Sequence, residues 1–180
     1  MRVPLASLLF PCWASLPSRA SRSPLPACAW SPATPDWTPE RLFQLGAALR
    51  PLIDEGVWIV GTGSITHNLR LGLPRTEPVP EIPASAAFRA WFAERSAARD
   101  WPALLDYRAQ APEAEYMHPT DEHLLPWFIA AGAGGADDAP IRLHASVAGG
   151  HLGMDAYAFG ADAPALARAL ASLEPTPAAA

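Results

Sequence analysis

Five histidines carry whatever metal or proton chemistry this chain can do: His67, His118, His123, His144 and His151. Imidazole exchanges a proton near neutral pH and is the commonest ligand of transition metals. His67 follows Gly61-Thr62-Gly63-Ser64, a turn that first suggests phosphate binding. Thr66, however, stands where a dinucleotide motif needs its third glycine, and no Gly-Lys-Ser/Thr follows. His118 and His123 lie five apart, whereas a helical ligand pair lies four apart. Taken singly, each histidine is more simply a hydrogen-bonded structural or surface residue. His144 and His151 stay with that reading, because strand alternation would put at least one of them on an exposed face.

The elements that must hold these side chains can be read from local signals. Thr38-Pro39-Glu40 predicts the cap and first turn of a helix through Leu42, Leu45, Leu49 and Leu52/Ile53 to near Gly56, kinked at Pro51. Val57-Trp58-Ile59-Val60 predicts a strand covered on both faces of an α/β sheet. Ser64 could then cap a short helix from Ile65, putting His67 in its first turn, just past the strand's C-terminal edge where open α/β sheets bind ligands. Ala84 to Ala98 has Phe88, Trp91, Phe92 and Arg95 at helical spacing, and Asp100 can cap a further helix through Leu104, Leu105 and Tyr107. Thr120 can cap a helix that opens on Asp121 and Glu122 and stops at the Gly132-Ala133-Gly134-Gly135 turn, which places His123 at its start. Ile141 to Val147 and Leu152 to Phe159, joined by Gly149-Gly150, read as a β-hairpin or two late strands of the sheet, and Ala163 to Leu173 as a short surface helix.

Composition limits what this scaffold can be. At 180 residues, half of them apolar, 17% charged and 21 of them proline, the chain is globular, neither disordered nor a long-helix protein. Its net charge is −5 and every one of its 13 basic residues is arginine, with no basic stripe, which argues against nucleic acid as a partner. No run of 18 apolar residues exists, which argues against a membrane span. Residues 1–35 differ from the rest: seven prolines, both cysteines (Cys12 and Cys28), three arginines and no acid. The opening has the outline of a secretory signal ending at Ala20, but Pro4 and Pro11 interrupt it. A disordered or out-of-frame N-terminus, on a chain that acts in the cytoplasm, is the preferred expectation over a small secreted domain, and two cysteines in such a stretch are no disulfide framework.

The segment Gly56-Val57-Trp58-Ile59-Val60-Gly61-Thr62-Gly63-Ser64-Ile65-Thr66-His67-Asn68-Leu69-Arg70, then His118-Pro119-Thr120-Asp121-Glu122-His123-Leu124-Leu125-Pro126, resembles the class III extradiol ring-cleavage dioxygenases of the 4,5-DOPA extradiol type. Gly153-Met154-Asp155-Ala156-Tyr157-Ala158-Phe159-Gly160 is similar to that group's C-terminal strand. The resemblance implies an α/β fold, with a central mixed sheet flanked by helices, and a site that holds Fe(II) or Zn(II) and takes a catechol-like aromatic and O₂. It implies that His67 is the acid/base beside the metal, that His123 is a metal ligand, and that His118 is supporting. A neutral imidazole near a bound catechol can accept a phenolic proton and return it later.

Family members begin with a strand leading to a His-Gly-Ser-Pro element and have a further histidine after another strand. This chain has no histidine before His67. The resemblance therefore implies a C-terminal half, over residues 37–160, apparently lacking the family's N-terminal strands, with 1–36 foreign to it and 161–180 a short helix and tail. The expected function is a truncated, impaired ring-opening dioxygenase. The alternative is a catalytically inactive metal-binding or interaction domain derived from that fold. Missing strands would leave Val57 to Val60 with a bare apolar edge, through which the chain could self-associate.

Overall fold

The structure, a computed structural model, describes residues 7–11, 37–72, 79–173. In chain order the elements are β1 (Ser7–Pro11), α1 (Pro39–Leu49), α2 (Pro51–Asp54), β2 (Val60–Gly63), a 3₁₀ turn (Leu69–Leu71), α3 (Pro83–Ala98), α4 (Trp101–Leu105), α5 (Tyr107–Gln110), α6 (Ala114–Met117), α7 (Leu125–Gly134), β3 (Ile141–His144), β4 (Val147–Ala148), β5 (Leu152–Gly153), β6 (Ala156–Phe159) and α8 (Ala163–Ala171).

Four strands form a mixed sheet in the order β2-β1-β6-β3, and β4 and β5 form a separate antiparallel pair. β1 runs parallel to β2, with Leu8 opposite Val60 and Pro11 opposite Gly63, and antiparallel to β6. The fold class is the α/β arrangement expected, with one correction. A strand from the N-terminal segment occupies the middle of the sheet, so Val60 has a neighbour, and among the described residues β2 is bare on its outer side only. Whether residues 1–6 and 12–36 are foreign, whether Cys12 and Cys28 pair, and whether the chain is cut after Ala20 all lie outside the described residues.

Two helix layers close the sheet. Tyr157 and Phe159 face a core with Leu42, Phe88, Phe92, Tyr107, Trp127 and Phe128, whereas the intervening Ala158 joins Ala163, Ile141, Leu143 and Leu166 under α8. That division is the period-two alternation of a strand buried on both faces. The cap signals act as the sequence predicts: the Thr38 hydroxyl accepts from Arg41 N and the Asp100 carboxylate from Ala103 N, and Pro51 opens α2 after the break behind Leu49. α1 and α7 approach closely because each offers a glycine. A Cβ at Gly46 would sit 2.1 Å from Ile129 O, and one at Gly132 2.0 Å from Phe43 O. Among the described residues no helix is long and apolar enough to cross a membrane.

Three expected elements shift. The strand after Gly56 begins at Val60, and Val57 and Trp58, expected to be covered, are exposed at 41% and 43%. The fully apolar run misled, because its first residues cap the turn out of α2 rather than enter the sheet: Val57 N donates to Leu52 O. No helix starts at Ile65, since Ser64 Oγ donates to Thr66 O and Gly153 O and Thr66 bridges Gly153. The helical turn there starts at Leu69, capped by Asn68, whose side chain accepts from Arg70 N. Nor does Thr120 cap α7: its hydroxyl bonds Glu122, and Leu124 and Leu125 N both donate to Asp121 O in a tight turn ahead of Leu125.

Candidate functional site

His67 and His123 meet where β2 ends. Gly63 closes the strand directly on the turn before α7, so that a Cβ there would fall 1.9 Å from His123 O, and Ser64 N donates to that same carbonyl at 2.8 Å. Any side chain at Gly63 would displace His123. Four residues past Gly63, His67 N donates to Met117 O at 3.0 Å, fixing the backbone that carries its ring. The imidazoles of His67 and His123 stack with centroids 3.4 Å apart and planes 12° from parallel, although 56 positions separate them in sequence.

The electrostatics of the pair favour a neutral His67. Burial, then the neighbouring His123, lower its pKa to about 4; Glu122 opposes them and His151 reinforces them. At pH 7 His67 is therefore an unprotonated base in a cleft. The Glu122 carboxylate lies 3.4 Å from His123 Nδ1 and is itself held below the usual carboxylate range: burial, which would raise it, is outweighed by hydrogen bonds from its own backbone and Thr120 and by the two histidines.

His118 sits beneath this cleft and is wholly buried. Its Nε2 donates to Ile65 O at 2.7 Å, which makes Nδ1 the unprotonated nitrogen, and Arg108 donates to the His118 carbonyl at 2.9 Å. Its role in the structure is thus to pin the Ile65-Thr66-His67 segment from below. Burial, above all, brings its pKa down to about 4 against the hydrogen bond to Ile65 and the charge of Asp121. A folded pKa below the unfolded value of 6.5 means that the unfolded chain binds the extra proton. The stabilisation is complete above about pH 6.5 and drains away as the pH falls toward 4, by about 3 kcal/mol for this group. Urea midpoints measured between pH 7 and 4 should show that loss. His118→Gln, whose amide can still donate to Ile65 O, should flatten the curve; an equally steep curve in the variant would refute the assignment.

The other two histidines divide. His144 is exposed, with Nε2 2.8 Å from Ser146 Oγ, as expected of a strand-face residue. His151 is buried in the β4–β5 turn with its ring against the Gly149 and Gly72 carbonyls, a hydrogen-bonded structural residue as expected, and it adds to the lowering of the His67 pKa. Strand alternation did not apply to it because the two glycines before it turn the chain, both with positive φ, and fold it back under Thr66. Sequence reasoning also missed Asn68, whose Nδ2 donates to Tyr116 O at 2.6 Å, and the buried pair Arg89–Asp155. For His151 the Gly149-Gly150 turn was a usable signal; for Arg89, its position on the buried face of α3 beside Phe88 and Phe92 was the only one.

As a metal centre the described residues are incomplete. Among them no group of three or more His, Cys, Asp or Glu could hold a metal ion, whereas a catalytic site takes about three protein ligands. What the cleft offers by itself is a neutral imidazole able to take and return a proton, with a second imidazole against it.

Comparison with known proteins bears on what this cleft belongs to. A family model described as the catalytic LigB subunit of aromatic ring-opening dioxygenase matches residues 3–161. A 4,5-DOPA dioxygenase extradiol of Beta vulgaris is 35% identical over 117 residues, covering 65% of this chain and 43% of that protein. One from Portulaca grandiflora is 28% identical over 153 residues, 82% of this chain and 54% of that protein. Dioxygenase tasH of Hapsidospora irregularis is 30% identical over 132 residues, 67% and 39% of the two chains. The chain thus spans about half the length of the curated relatives it matches. Among solved structures, the uncharacterized protein JW3007 from Escherichia coli K12 aligns with a TM-score of 0.57 at 23% identity, over 69% of this chain and 51% of that one, a likeness of fold.

Proposed function

Since this chain belongs to the LigB family of aromatic ring-opening dioxygenases, of the class III extradiol type, we propose that the cleft of His67 and His123 opens a catechol-like ring with O₂, and does so poorly. The observation that carries the reading is the stacked pair itself: two histidines from the family's two spaced motifs, brought to one sheet end, one of them held neutral. His67 is the acid/base. It accepts a phenolic proton as the catechol binds and returns it as the ring opens, a role that needs a base unprotonated at working pH. His123 is the metal ligand, and Fe(II) or Zn(II) is the metal the family chemistry calls for. Because the described residues supply no complete ligand set, a metal would be held weakly, and impaired activity follows.

Equilibrium dialysis of the full chain against Fe(II) or Zn(II) tests the assignment. The expected result is weak binding, well under one ion per chain at micromolar metal, lost in His123→Ala and kept in His67→Ala. Tight one-to-one binding would contradict the impairment, and a His123→Ala variant that binds as well as the parent would contradict the ligand. Val60, on the side of β2 that no described strand covers, and the exposed Val57 and Trp58 in the turn before it are where a second copy would pair, and sedimentation of the same samples as a monomer alone would remove that part of the proposal. The incomplete ligand set also favours a second reading, an inactive domain that keeps the fold without the reaction.

A further inference from the structure

A cavity of about 430 Å³ is lined by Leu71, Gly72, Val79, Ile82, Tyr116, Gly149 and His151. That volume falls in the range of small-molecule sites, roughly 300–1,000 Å³. Four walls come from separate parts of the chain: the 3₁₀ turn gives Leu71, the stretch ahead of α3 gives Val79 and Ile82, α6 gives Tyr116, and the β4–β5 turn gives His151. The cavity is tied to the cleft on both sides of His67. Thr66 Oγ1 donates to His151 O at 2.9 Å, and Asn68 Nδ2 donates to Tyr116 O at 2.6 Å, so the residues flanking His67 are bonded to two of the walls.

We propose that this cavity seats an apolar arm on the ring, so that the substrates of the cleft are catechols with an uncharged alkyl or aryl substituent; this deepens the ring-opening reading and rests on it. Most of the wall is carbon, with the Tyr116 hydroxyl, His151 and glycine backbone as its polar part: Leu71, Val79 and Tyr116 remain 38%, 43% and 47% exposed, surface that an arm would cover. Both nitrogens of the His151 ring point at backbone carbonyls, Nδ1 at 2.8 Å from Gly149 O and Nε2 at 3.1 Å from Gly72 O, of which a neutral ring can donate to one. An amino-acid arm would bring an ammonium and a carboxylate against those carbon walls and lose their hydration there. Each methylene of an alkyl arm that is fully covered gains about fourfold in affinity.

The test is anaerobic calorimetric titration of the full chain with 4-butylcatechol, 4-butylphenol and L-DOPA, on the parent and on Val79→Arg and Tyr116→Ala. Both residues are partly exposed, and far-ultraviolet circular dichroism confirms that each variant folds. The expected result is 4-butylcatechol bound at least about tenfold more tightly than L-DOPA. Tyr116→Ala should weaken it several-fold, and Val79→Arg should narrow or reverse the preference by about tenfold. L-DOPA binding as tightly as 4-butylcatechol, no binding of 4-butylcatechol, or butyl affinity untouched by both variants would overturn the proposal. 4-Butylphenol separates this proposal from the ring-opening reading. If it binds as tightly as 4-butylcatechol while the variants act as stated, the arm seat stands and catechol recognition fails.

Discussion

Asp155→Ala should cost this protein about 3–5 kcal/mol of stability, enough to unfold much of it in a marginally stable domain. Asp155 is 1% exposed and grips the Arg89 guanidinium with both oxygens, Oδ2 at 2.7 Å from Nε and Oδ1 at 2.9 Å from Nη2. Glu81 takes the remaining edge through Nη1 at 2.9 Å, and Arg142 approaches Asp155 at 3.4 Å. The bidentate geometry offsets the desolvation of two buried charges, and truncating one leaves the other buried with half its partners. The effect reaches the cleft, because this pair ties α3 to the residues just after β5. Gly153 passes so close under Arg89 that a Cβ there would lie 2.7 Å from its Cδ, and Gly153 N also bonds Thr66 O, one residue from His67. Denaturant midpoints should therefore fall sharply in Asp155→Ala and recover in part in Asp155→Leu with Arg89→Met, which removes both buried charges together and leaves only the more exposed Glu81 and Arg142 without them. A loss below about 1 kcal/mol in the single variant would show that solvent already screens the pair.

What could be read from sequence follows how local each cause is. Thr38, Asp100 and Pro51 act within one turn of their own position, and the helix ends they announce are where the structure puts them. Val57 and Trp58 were misread because an apolar run says that something covers it without saying what, and here a turn out of α2 precedes the sheet. Thr120 was misread because its hydroxyl donates to the Glu122 carboxylate instead of accepting from a helix N–H. The meeting of His67 and His123 follows from Gly63 against His123 O, a contact across the fold that no local pattern encodes; only the resemblance of two spaced motifs to one family pointed to it. The reversal at Gly149-Gly150 was legible as a turn between strands, but not that it would bury His151 against a cavity. β1 was the hardest to foresee, since it pairs from within a Pro-rich, acid-free segment that composition sets apart from the rest.

The most direct test of the account is ring opening itself, with His67 as the variable. The full chain, with excess Fe(II) and 4-butylcatechol under ¹⁸O₂, should slowly form a ring-opened product that carries two labelled oxygen atoms, counted by mass spectrometry. His67→Ala should cut its rate by about 100-fold or more, the contribution of a positioned acid/base, while leaving the fold and the weak metal binding in place. His67 is held neutral by burial and by His123, so the parent rate should be sustained down to about pH 5 rather than failing near 6.5. Doubly labelled product from the parent and almost none from His67→Ala is the outcome this account predicts. No such product from the parent, or equal amounts from both, would contradict it.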